Sequence, residues 1–397
     1  MTHSAIVRIP ATLAGGLLLA LVVGTASPTP VEGQSLLSAG GLGFLTDAPD
    51  ARSRMLGGVG IGLSGSHLMP NDPAAAGRVG LPGISATMEA GVDTPDEGER
   101  AGRTRFPSFG LIYPTARLTY FATFSGFLNQ EWQATARPTI DFGDQQVEAL
   151  DVFEASGGIS AARIGVARAI SDRVSVGIAG GTYLGSMERS FRRDLNPADV
   201  GQQVESFVAD GIWRASGTNI VAGVNMDALG MLRLAGSVTW SDDLTLDPTD
   251  GTPGDPVVVP LPLEFRVGGH GTLAPGLALA ISLYTADWSE SAEALGDENA
   301  PGRIWQMGGG LEWAGGSILG RQIPLAIGVR QRDLPFSFLG NPVQERAVTG
   351  GAGIFLSDTE TTPLARMHVG MELGSRSTAE WDESFLRATV TLRLSGS

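Results

Sequence analysis

The chain offers few groups able to do covalent chemistry. Among 397 residues there is no cysteine, and the histidines are His3, His67, His270 and His368. Without thiols there is no disulfide framework, no cysteine nucleophile and no Cys-ligated zinc. No G-x-S-x-G turn presents a serine at a strand end. Gly60-Ile61-Gly62-Leu63-Ser64-Gly65 matches G-x-G-x-x-G. That turn binds a dinucleotide only inside a βαβ unit with an acidic residue ~20 positions on. Neither is present, so the match follows from glycine richness. A Ser/His pair built on His368 would be one hydrolytic arrangement, but a histidine of this kind serves more simply as a polar wall residue. Acidic residues gather at Asp93, Asp96, Glu97 and Glu99, at Asp242, Asp243, Asp247, Asp250 and Asp255, and at Glu290, Glu293, Asp297 and Glu298. Their spacing is not that of an EF-hand. No metal, no cofactor and no enzymatic activity is assigned.

The remaining charged groups occur singly, alternating with apolar residues. Ala365, Met367, Val369, Met371 and Leu373 share one face of a strand, and Arg366, His368, Gly370 and Glu372 the other. Leu386, Ala388, Val390, Leu392 and Leu394 oppose Arg387, Thr389, Thr391 and Arg393. The same period of two runs through Leu232–Trp240, Leu261–Gly268 and Leu325–Arg330. Such alternation marks sheets with one apolar and one polar face. It fits a soluble sandwich with the apolar face inside, or a membrane barrel with that face in lipid.

Fourteen strands are expected, at 81–92, 106–113, 117–134, 146–169, 174–190, 204–226, 231–245, 257–272, 277–288, 303–314, 322–332, 345–357, 363–374 and 384–394. Their connections sort by length. Tight ones, such as Pro114-Thr115-Ala116 and Ser171-Asp172-Arg173, alternate with long polar segments at 93–105, 135–145, 191–203, 246–256, 289–302, 333–344 and 375–383. Short turns on one side and long loops on the other are the outer-membrane pattern, which a sandwich has no reason to adopt. Most of these acidic residues fall in the long segments and read as solvated outer loops.

Composition agrees. Glycine is 56 of 397 residues, charged residues are only 17 %, and every basic residue other than histidine is arginine. A net charge of −15 excludes a general nucleic-acid binder. Arg8 precedes an apolar run from Ala11 to Val23, then Gly24-Thr25-Ala26. These are the charged, apolar and small-residue regions of a secretory signal, too short for a comfortable ~20-residue membrane helix. The expected organisation is a signal peptide at 1–26, an N-terminal hatch segment at 27–80 and an all-β transmembrane antiparallel barrel at 81–397.

The segment before the first clear strand carries Met55-Leu56-Gly57-Gly58-Val59-Gly60 and Asn71-Asp72-Pro73-Ala74. Here the chain resembles the FadL-like family of long-chain fatty-acid outer-membrane transporters, including its PorV-like branch of type IX secretion. Those proteins carry a Met-Gly-Gly-Ala-like stretch and an Asn-Pro-Ala motif near a hatch. The counterparts here are Met55, Gly57 and Gly58, and Asn71, Pro73 and Ala74, with Leu56 and Asp72 inserted. The resemblance implies a hatch inside a fourteen-stranded barrel in the bacterial outer membrane. It also implies uptake of hydrophobic, fatty-acid-like small molecules. Asn71 is expected to cap a tight turn that Pro73 stiffens.

By the alternation, the inward positions include Arg233, Glu264, Arg266, His270, Glu312, Arg330, Arg366, His368, Glu372 and Arg387. Both signs are present, so internal ion pairs can satisfy them. These residues either fill the wall or line a path on which guanidinium groups meet a ligand carboxylate. Expected partners are outer-membrane lipid and a hydrophobic ligand. Two other roles remain open: docking of a secretion or surface-attachment partner without transport, and a lipid-modifying enzyme.

Overall fold

The computed structural model describes residues 32–34, 37, 41–46, 50–65, 68–96, 100–142, 145–195, 205–228, 230–296, 302–314, 316–318, 321–359, 362–379 and 381–396. The expected signal segment, 1–26, lies outside them. Fourteen antiparallel strands close into one barrel. They are β1 (Gly83–Pro95), β2 (Ala101–Pro114), β3 (Thr119–Asn129), β4 (Gln145–Ala169), β5 (Val174–Leu195), β6 (Thr218–Ala228), β7 (Leu232–Ser241), β8 (Glu264–Ala274), β9 (Leu277–Asp287), β10 (Arg303–Trp313), β11 (Leu325–Phe338), β12 (Asn341–Thr359), β13 (Thr362–Ser377) and β14 (Asp382–Ser395). Closure is made by β14 against β1, from Glu383↔Pro95 to Ser395↔Gly83.

The alternation decides which face points where. On β14, Leu386, Val390, Leu392 and Leu394 are exposed outward, while Arg387, Thr389, Thr391 and Arg393 are buried inward. Ile84, Leu111, Ile164, Ile178 and Val329 lie on the same outer surface. A polar interior behind an apolar outer wall is the inverse of a soluble sandwich and suits a barrel set in lipid.

Two strands are far longer than a membrane requires. β4 has 25 residues and β5 has 22. At ~3.3 Å per residue β4 runs ~80 Å, well beyond a ~30 Å hydrocarbon layer even when tilted. Several segments expected as loops are therefore strand extensions. Thr139–Phe142 folds back onto β4, β11 and β12 meet at a turn on Leu339 and Gly340, and β13 pairs with β14 out to Ser377↔Asp382. A strand leaving the membrane loses its apolar stripe but keeps its hydrogen-bond ladder, so its sequence reads as a loop. Asp93 is one casualty. Expected as a solvated loop residue, it sits on the inward face of β1, 1 % exposed, in an ion pair with Arg376 at 3.3 Å.

Strand β3 carries a bulge. Gly126 pairs with Ser160 and Leu128 with Ile159, leaving Phe127 as the extra residue. Phe127 and Leu128 are consequently both buried, which strict alternation forbids. They join an apolar cluster at the long-strand end with Leu42, Tyr183, Leu244 and Trp288.

The N-terminal segment runs down the barrel interior. Phe44–Leu45 pairs with the far end of β3. Helix α1 (Ala51–Met55) is wholly buried against β11 to β14. The 3-10 turn Pro73–Arg78 lies at the short-turn end, where Arg78 Nη1 donates to Asp172 O at 2.9 Å.

Candidate functional site

Helix α1 is tied to the wall at every turn. Asp50 caps it, accepting from Ser53 N at 2.7 Å, and also takes Arg393 Nη2 at 2.5 Å. Ala51 N donates to Thr391 Oγ1 at 2.8 Å. Arg52 grips Glu312 through Nε at 2.7 Å and Nη2 at 2.5 Å. Arg54 bridges Glu89 at 2.5 Å and Glu372 at 2.6 Å. Burial alone would raise the Asp50 carboxyl, but Arg393 and the Ser53 amide hold it below its usual value.

Past the helix, the chain turns on Gly57, whose φ of +77° lies in the left-handed region. A Cβ there would come within 2.3 Å of Val329 O, and one on Gly328 within 2.4 Å of Gly57 N. Glycine on both sides lets backbone rest on backbone. Thr349 Oγ1 donates to Met55 O and accepts from Gly57 N, each at 3.0 Å. Met55 packs with Leu56, Val59, Leu63 and Met69 beneath. Gly58 faces Arg330.

The cap expected of Asn71 is made instead by Asp72. Its carboxylate accepts from Ala75 N at 3.2 Å, Gly62 N at 2.9 Å and Asn225 Nδ2 at 3.3 Å. The two oxygens of a carboxylate can take three donors, where an amide oxygen has only two lone pairs. Burial lifts the Asp72 carboxyl above its ordinary value despite these bonds. Pro73 and Ala74 follow in the buried turn, and the Pro73 carbonyl presses on Gly177 of β5.

The inward residues read from the sequence fall into separate groups. Arg330, Glu372 and Arg387 join a buried network inside the barrel with Arg54. Glu345, not singled out in the sequence, is its hub, accepting from Arg330 at 2.6 Å, Arg332 at 2.7 Å and Arg376 at 2.8 Å. Arg387 stands 3.7 Å from Glu345 and 3.6 Å from Glu372. Glu264 and Arg266 pair with each other at 2.6 Å, and the Arg266 guanidinium lies 4.3 Å from the Tyr284 ring centre. Arg233 pairs with Asp227 at 2.7 Å. His270 and Glu312 face Arg52 and Ser64. Arg366 stacks over Phe355 at 4.9 Å. His368 is buried near Asp50 and Arg52.

Space is found at the β3–β4 wall. Between the N-terminal segment and that wall is a cavity of about 20 Å³, lined by Thr46, Pro70, Asn71, Ser125, Gly126 and Arg163 among others. On the outer face of the same wall lies a groove of about 490 Å³, lined by Leu111, Phe124, Arg163, Ile164 and Gly180 among others. Through Leu111, Ala122, Ile164 and Gly180 it continues into a groove of about 1100 Å³ that reaches Tyr113 and Leu394 at the short-turn end. Arg163 borders both the interior cavity and the outer groove. It is 6 % exposed, and its Nε donates to the neutral amide of Asn219 at 2.5 Å rather than to a carboxylate. The sequence signal for Arg163 is its position opposite Ile164 in an alternating strand, which marks it as inward and no more.

Solved structures share this architecture at low sequence identity. The Ralstonia pickettii toluene transporter TbuX matches at 13 % identity and TM-score 0.57, over 90 % of this chain and 99 % of that one. A Pseudomonas aeruginosa FadL homologue matches at 11 % and 0.60, over 89 % and 99 %. The Pseudomonas putida toluene transporter TodX matches at 13 % and 0.58, over 88 % and 99 %. No protein-family profile and no curated protein matches the chain. The chain has the fold of the FadL-like outer-membrane transporters.

Proposed function

We propose that the protein lies in the bacterial outer membrane and admits hydrophobic small molecules, which leave the barrel interior through the β3–β4 wall into the lipid-facing groove. The observation that carries this reading is Arg163, which borders the interior cavity on one side and the outer groove on the other. Gly180, on the outward side of β5, keeps the outer face of this wall low. An apolar solute gains nothing from a wide aqueous pore; an apolar surface leading into hydrocarbon serves it better. TbuX and TodX are described as toluene transporters and CymD as a monoaromatic hydrocarbon channel, which supports the ligand class.

The Arg163 guanidinium favours a ligand with an anionic head: it hydrogen-bonds the neutral side chains of Asn219 and Tyr183, and the carboxylate that acts on it, Glu264, is also paired with Arg266. A fatty-acid-like amphiphile therefore suits this wall better than a bare hydrocarbon. Vesicles with lipopolysaccharide in the outer leaflet, with and without the protein, test the point. The expected result is protein-dependent transfer of a fluorescent fatty acid that falls in Arg163→Gln, while transfer of a neutral aryl tracer is kept. Equal loss for both tracers removes the preference for an anionic head. Transfer no faster than in protein-free vesicles ends the uptake reading.

A further inference from the structure

Ser64, His270 and Glu312 meet where the N-terminal segment faces β8 and β10. Ser64 Oγ lies 2.9 Å from His270 Nδ1, and His270 Nε2 lies 3.9 Å from Glu312 Oε2. A carboxylate on the Nε2 side favours the tautomer with its hydrogen on Nε2. Nδ1 then carries the lone pair, and the Ser64 hydroxyl donates to it. Arg52 fixes both ends of this chain. Its Nε and Nη2 hold Glu312, and its Nη1 donates to Ser64 O at 2.7 Å. Docking of the segment is already served by Arg52 on Glu312, Arg54 on Glu89 and Glu372, and Asp50 on Arg393. It does not call for a hydroxyl on an imidazole with a carboxylate behind it. Ser64 is half-buried and next to exposed Gly65.

We propose that these residues form a serine-hydrolase-type centre for carboxylic esters, with Ser64 as nucleophile and His270 as general base. Glu312 and Arg52 are positioning residues: the carboxylate orients the ring and balances the imidazolium, and the guanidinium fixes both. Ser64 Oγ adds to the ester carbonyl carbon as its proton passes to His270 Nδ1. Collapse of the tetrahedral adduct breaks the bond to the alkoxy oxygen, which leaves as alcohol with that proton. A water that gives its proton to the same nitrogen then cleaves the acyl-serine, releasing a carboxylic acid and restoring the serine. Ester and water become acid and alcohol, and no other reactant is needed. The centre stands independently of the transport reading.

The folded protein in lipid vesicles is treated with a small alkyl fluorophosphonate, and the adduct is located by peptide mass spectrometry. The adduct is expected on Ser64, with protein-dependent hydrolysis of p-nitrophenyl butyrate. Ser64→Ala and His270→Gln should each slow hydrolysis by roughly 10²-fold or more. Glu312→Gln should slow labelling, and Glu312→Asp should restore part of it, a rescue that simple loss of docking does not give. Heat-modifiable gel mobility verifies that each variant barrel is folded. Absence of an adduct on Ser64 in the wild-type protein, or labelling undiminished in folded His270→Gln, overturns the proposal.

Discussion

At the scale of single residues, the strongest demand falls on Glu345. It is fully buried and accepts from three guanidinium groups. Glu345→Gln keeps the volume but leaves those cations facing one another. Removing one member of such a buried network is expected to cost about 3–5 kcal/mol in denaturant unfolding from lipid. Val369 makes the opposite demand. It stands on the outer face, 37 % exposed, and Val369→Arg should cost about 2–4 kcal/mol if it lies near the membrane midplane. His368→Gln, one position along and facing inward, should cost far less. Equal losses at the two positions would contradict the assignment of faces. The inward set was legible because alternation alone separates Arg387 from Leu386. Glu345 and Asp93 were not, because each lies where a strand leaves the apolar zone and its stripe fades. Asp72 was hidden by the expectation that Asn71 would cap the turn.

At the scale of elements, the N-terminal segment is held by ion pairs and by close backbone contact. Gly328→Val puts a branched side chain where even a Cβ would lie 2.4 Å from Gly57 N. β-branched residues suit strands, so the barrel should still form while the segment is displaced. Limited proteolysis should then cut between Ala51 and Arg78 in the variant and spare the wild type. The segment should also respond to pH. Asp72 has its carboxyl raised from 3.8 by burial. The docked segment therefore holds a proton that a released one gives up. Docking is favoured as pH falls through the window above 3.8 and weakened as pH rises through it. Asp50, lowered from 3.8, opposes this only below that value, where its pairing is lost. The chain has no cysteine, so Ala75→Cys is a single reporter, buried beside the Asp72 cap. Its modification by a charged maleimide should slow as the pH is lowered toward 3.8, after correction against the same reporter in Asp72→Asn. A corrected rate that does not change would remove Asp72 from the docking equilibrium. Met55, Gly57 and Gly58 mark this element in the sequence. It could not reveal the pairing partners, since Arg54 and Glu372 are far apart in the chain and meet only when the barrel closes.

At the scale of the whole molecule, the strand count and the sorting of turns were readable because a barrel in lipid repeats one pattern around its circumference. The grooves were not, since they depend on where small residues such as Ala122 and Gly180 fall in neighbouring strands. The groove also gives the most direct test. A Cβ at Gly180 meets only Asn219 O, at 3.9 Å, so Gly180→Trp can fill the groove without disturbing the wall. The measurement is transfer of a fluorescent fatty acid into lipopolysaccharide-bearing vesicles by the wild-type protein and by folded Gly180→Trp. Transfer is expected for the wild type and a fall to the protein-free background for the variant. Wild-type transfer at background, or a variant as fast as the wild type, would contradict passage through the β3–β4 wall.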